Sequence, residues 1–110
     1  MKAKIKALAN FLDCKKKEIE QGYNENTFEH EGEEYLVVTD SEADDLWEED
    51  LDNYIEEFIY PQFKEIGLQE RYFDEEAWKN DAKYDGRAHS LARYDGNEYE
   101  QDGFYIYRTN

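Results

Sequence analysis

Between Glu18 and Phe63 the chain has no lysine and no arginine, and across its 110 residues it has a single cysteine, a single proline and no long apolar run. Each absence excludes something. With Cys14 alone no intramolecular disulfide can form, a usage that fits a reducing cytosol. No stretch approaches the roughly 18 apolar residues of a membrane span, and the lysine-rich start lacks the hydrophobic centre of a signal peptide. The expectation is a soluble intracellular protein without a membrane partner. There is also no glycine-rich phosphate cradle, which removes the common nucleotide-binding folds.

What the chain does have is aromatic bulk and acid. Hydrophobic residues make up 39% and aromatics 16%, enough to bury a single modest core and too much for a disordered chain. The formal net charge is −16. It is unevenly spread: residues 1–17 are basic, residues 18–63 carry all acid and no base, and residues 64–110 are mildly acidic. A charge of this sign repels nucleic acid and anionic membrane and attracts basic partners.

The stretch Ser41–Phe63 holds both the largest apolar stripe and the densest charge. At 100° per residue Ala43, Leu46, Trp47, Leu51, Tyr54, Ile55, Phe58 and Ile59 share one side, the signature of an amphipathic helix. Asp44, Asp45, Glu48, Glu49, Asp52, Glu56 and Glu57 cover the rest, with no oppositely charged neighbour one turn away. Glu42, Asp44 and Asp45 suit the positive end of the helix dipole after a cap at Thr39, Asp40 or Ser41, whereas the later acids gain little from it. Pro61 is expected to end or kink the helix, ahead of Gly67.

Around this helix the expected elements are an N-terminal helix through Ile5, Leu8 and Leu12, then a loop over residues 15–28. A hairpin turning near Glu31-Gly32 into the β-rich run Tyr35–Thr39 comes next. A shorter helix capped by Asp74 is expected to pack through Phe73, Ala77, Trp78 and Ala82. A final hairpin turns at Asp102-Gly103, and Tyr99, Tyr105 and Tyr107 are expected to share one of its faces. The fold class is α+β: one small domain whose two hairpins form an antiparallel sheet against the central acidic helix and a shorter helix. Residues 1–26 are read as a basic segment and loop, and residues 27–110 as the core. Between the last elements Tyr84-Asp85-Gly86-Arg87 and Tyr94-Asp95-Gly96-Asn97 form an imperfect repeat of two turns bracketing a short segment.

The runs Tyr35–Asp44 and Tyr72–Ala82, the two Tyr-Asp-Gly turns with His89-Ser90-Leu91 between them, and the ending Phe104–Asn110 resemble a group of small acidic proteins from phages and related mobile elements. That group has Gly before His-Ser-Leu where this chain has Ala88. The resemblance implies a mobile-element setting, hence the cytoplasm of a bacterial host, and brings no activity with it. Small acidic proteins of that setting often inhibit host defence.

Two candidate sites follow. The acids Asp44, Asp45, Glu48, Glu49, Asp52, Glu56 and Glu57, counted with Asp50, give about one carboxylate per 2.5 Å of helix, between the spacings of a duplex and of a single DNA strand. They are read as a partner-binding surface that mimics nucleic acid and takes a basic host protein, namely a nucleic-acid-binding defence enzyme of restriction or CRISPR type. Asp85, Arg87, His89, Tyr94 and Asp95 form a secondary candidate, in which His89 oriented by Asp85 or Asp95 would act as a base. The expectation is a non-enzymatic inhibitor without cofactor or metal. The alternative is an assembly module of the element, self-associating as a homo-oligomer or docking a basic partner, and a small enzyme centred on His89 ranks third.

Overall fold

The computed structural model describes residues 2–67 and 73–110. In chain order its elements are α1 (Lys2–Leu12), a 3-10 turn (Lys16–Glu18), β1 (Glu20–Gln21), β2 (Thr27–His30), β3 (Glu33–Val38) and α2 (Asp40–Tyr54). A π turn (Ile55–Ile59) leads into α3 (Tyr60–Glu65), followed by α4 (Glu75–Lys83), α5 (Arg87–Leu91), β4 (Tyr99–Gln101) and β5 (Phe104–Arg108). The fold is α+β. Tyr72, which opens the Tyr72–Ala82 motif, lies outside the described residues.

The five strands form one antiparallel sheet in the order β1-β2-β3-β5-β4. The two expected hairpins, β2–β3 and β4–β5, close through two residues with positive φ, Glu31 (51°) with Gly32 (82°) and Asp102 (54°) with Gly103 (83°). This is the turn geometry that matches the right-handed twist of paired strands. The segment read as a loop contributes β1 at the sheet edge, where Glu20 pairs Glu29.

Helices cover both faces of the sheet. On one, α1 packs Leu8 and Ala9 against Ile19, Phe28, Tyr35, Val37 and Ile106. On the other, α2 and α5 pack Ala43, Leu91 and Ala92 against Val38 and Tyr107. The division of the chain at residue 26 is therefore corrected. Leu8 and Phe28 are fully buried in the same cluster, because a sheet with apolar residues on both sides needs a cover on each.

The register also corrects the expected grouping of the tyrosines. The two-residue turn sets Tyr99 opposite Ile106 and Glu100 opposite Tyr105. Tyr99 therefore points toward α1, its ring 5.0 Å from that of Phe11, while Tyr105 and Tyr107 face α2 and α5. Alternation holds within each strand, but the parity between strands is set by the turn.

Pro61 does not end the central helix, which continues from Asp40 to Glu65. The helix widens just before it into the π turn, where the Tyr60 N–H donates to the Ile55 carbonyl. A proline ring clashes with the carbonyl four residues back and lacks an N–H, and a wider turn accommodates both faults. Gly67, with φ 79°, is the terminator. The α4 helix starts at the Asp74 cap as expected, yet it lies along the far part of the central helix and has no buried residue. Of its expected core contacts Ala77 is exposed, and Trp78 is half-buried, stacked on Tyr54 at 5.4 Å between ring centres.

Among the described residues, no helix is long and apolar enough to cross a membrane.

Candidate partner-binding surface

The start of α2 is locked before any acid on it can act on a partner. The Thr39 side chain accepts from the Glu42 N–H at 3.1 Å, and Glu42 accepts from the Thr39 N–H at 2.9 Å, a reciprocal capping box. Lys4 of α1 reaches the same Glu42 carboxylate at 2.9 Å. The Thr39 N–H holds Glu42 below the usual carboxylate range; burial opposes it, and Lys4 adds to the lowering.

Further along, the missing partners of the acids come from other helices. Lys79 of α4 bridges Glu48, at 2.8 Å, and Asp52, while Lys83 meets Glu48 at 3.1 Å. These bonds lower the Glu48 pKa and raise that of Lys79. Arg87 of α5 contacts Asp40 and Asp44, both at 2.8 Å, and Glu98. Burial disfavours the Arg87 charge, but its bonds to Glu98, Asp40 and Asp44 outweigh that and hold the guanidinium above its ordinary pKa.

The acids have no partner one turn away along α2, as expected, but Asp44, Glu48 and Asp52 are paired from α4 and α5. Asp45, Glu49, Glu56 and Glu57 remain exposed, with no ion pair among the described residues. Asp45, Glu49, Asp52 and Glu56 follow one another at helical spacing and form a ridge on the side away from the sheet. From Asp45 to Glu57 the rise is about 18 Å.

Sequence reasoning missed a second row of acids. Glu20 is opposite Glu29, and Glu29 is opposite Glu34. Parity places all three on the α2 side of the sheet, where directly opposed like charges are destabilising. Glu34 also lines an open groove of about 270 Å³ together with Glu49, Asp50, Asn53 and Arg93, so one acid of the sheet row and one flanking acid of the ridge share it. Only the register reveals this row. The role of Lys79 and Lys83 left a fainter signal: two lysines one helical turn apart in a chain otherwise dominated by acid.

The secondary candidates are dispersed. Asp85 and His89 line one cleft of about 540 Å³ with Asp50, Tyr54, Trp78 and Asp81. Arg87 points the other way, into its three-acid clamp and over the Tyr105 ring at 4.6 Å. Tyr94 lies under Arg108, 3.6 Å from guanidinium carbon to ring centre. Asp95 accepts the Asn97 N–H at 3.0 Å and shapes its turn. Among the described residues no hydrogen bond joins His89 to Asp85, Asp95 or Ser90.

Cys14 sits beside three lysines in sequence, a setting that would favour the thiolate. In the fold its pKa is raised instead, first by burial and then by Glu18, Glu31 and Asp13. Comparison with family models, with curated proteins and with solved structures gave no match.

Proposed function

We propose that the chain is a non-enzymatic inhibitor from a phage or mobile element. Its acidic ridge occupies the basic groove of a host nucleic-acid-binding defence protein, of restriction or CRISPR type, in place of nucleic acid. What carries the reading is the selective neutralisation of the helix acids. Lys79, Lys83 and Arg87 pair with the carboxylates that face α4 and α5, and Asp45, Glu49, Glu56 and Glu57 stay bare. Repulsion along such a ridge costs roughly 0.2–0.5 kcal/mol per like-charged pair, and a basic partner turns that cost into affinity. The density is suitable too: a net charge of −16 over a long axis of 55 Å is about one charge per 3.4 Å, the spacing along one DNA strand.

The test is capture from bacterial lysate at low salt, by the natural chain and by a variant with Lys at positions 45, 49, 56 and 57. The reading expects a nucleic-acid-binding protein on the natural chain, released by salt and absent from the variant. An identical set of captured proteins on both rules it out.

A second reading, an assembly module, is favoured by the aromatic end of the molecule, where Tyr54 and Phe58 are each about half exposed. Contacts made there would survive high salt, unlike those of the ridge.

A further inference from the structure

On the α1 side of the sheet, away from the acidic ridge, the turn that follows α1 meets the end of β2 and brings together a thiol, a carboxylate and an imidazole. The Cys14 sulfur, a Glu18 oxygen and a His30 ring nitrogen all lie within 4.8 Å of one another. We infer that Cys14, Glu18 and His30 form a binding site for zinc or a similar borderline-soft divalent cation.

Each ligand is held by backbone structure rather than left on a free loop. Cys14 follows the left-handed residue Asp13 (φ 56°) that closes α1, and its N–H bonds the Ala9 carbonyl at 3.0 Å, the ending known as a Schellman motif. Glu18 ends the 3-10 turn, where one carboxylate oxygen accepts the Lys15 N–H at 3.1 Å. His30 is the last residue of β2, fixed in register opposite Glu33 and next to the Glu31-Gly32 turn. Among the described residues neither the Cys14 sulfur nor the His30 ring takes part in a hydrogen bond. Both are available as ligands.

The donor set selects the ion. Thiolate with imidazole suits zinc, whereas magnesium and calcium take oxygen ligands. Bond lengths of about 2.0–2.3 Å put neighbouring ligands of a tetrahedral zinc about 3.4–3.6 Å apart. The three donors, at most 4.8 Å apart, reach that spacing by closing at most about 1.4 Å. Three protein ligands leave a fourth position for water, the pattern of open rather than closed zinc sites. Cys14 binds as thiolate and His30 as neutral imidazole, so the thiol proton passes to solvent on binding. Bound metal would pin the end of α1 to the 3-10 turn and to β2.

The experiment is a calorimetric titration of the reduced full chain with Zn²⁺, in excess Mg²⁺ so that the many surface carboxylates are already occupied. A parallel titration uses Co²⁺, read by absorption. The inference expects one Zn²⁺ per chain and a thiolate-to-cobalt charge-transfer band. It expects Cys14→Ser to remove the band, and His30→Ala to weaken zinc binding at least ~tenfold. Absence of stoichiometric zinc binding overturns it, as does zinc binding that Cys14→Ser leaves unchanged. The cobalt band of the natural chain decides the matter without any variant, since oxygen ligands alone cannot produce it.

Discussion

At the scale of single residues the chain's few cations matter more than its many acids. Arg87 has a side chain only 13% exposed, faces Asp40, Asp44 and Glu98, and stacks on Tyr105. Removing it takes away the shared partner of Glu98 and of the more exposed Asp40 and Asp44, together with the packing on Tyr105. We expect Arg87→Ala to cost about 2–3 kcal/mol in urea unfolding and Arg87→Lys about 1 kcal/mol, because lysine keeps the charge but not the planar fork. Glu42 and Glu48 are both held below the ordinary carboxylate value of 4.5 in the folded state. A depressed folded pKa contributes stability above the unfolded value that is lost as pH falls through the folded one. Stability should therefore decline as pH drops below 4.5, and less steeply in Glu48→Gln, as thermal unfolding across pH would record.

At the scale of elements, what was legible in the sequence is what depends on neighbours along the chain. Asp102-Gly103 specifies its hairpin, Thr39 with Glu42 and Asp74 specify helix starts, and the spacing of Ala43, Trp47, Leu51 and Ile55 specifies the buried side of α2. What was not legible depends on contacts across the fold. The sequence of α4 does not say that Trp78 stacks on Tyr54 rather than entering the core, and no local pattern joins Lys79 to Glu48 across 31 positions. Tyr99 was misplaced for a related reason, since one residue more or less in a turn reverses which face a strand presents. The α1 layer yields a direct prediction. Leu8 is fully buried against the sheet, so Leu8→Ala should cost about 3 kcal/mol of unfolding free energy, within the range for emptied core positions. A change near zero would mean that α1 is not a core layer.

At the scale of the whole molecule, the chain is an acidic rod of 55 × 22 × 22 Å. The sheet and its two helical covers occupy one part of it, and the central helix carries the ridge outward to α3 and α4. The layout separates tasks physically. Acids that meet other helices, Asp52 among them, are paired and hold the fold, Asp45, Glu49, Glu56 and Glu57 on the central helix and Glu20 and Glu29 at the sheet edge are exposed, and the Cys14 cluster lies on the opposite side of the sheet. A surface that stands in for nucleic acid must compete with it. The most direct measurement is therefore displacement: the partner retained by the natural chain at low salt is challenged with a short DNA duplex and, separately, with the variant carrying Lys at positions 45, 49, 56 and 57. The account predicts that the duplex releases the partner while the variant does not. A partner that stays bound in excess duplex, or that the variant displaces as well as the natural chain does, would contradict it.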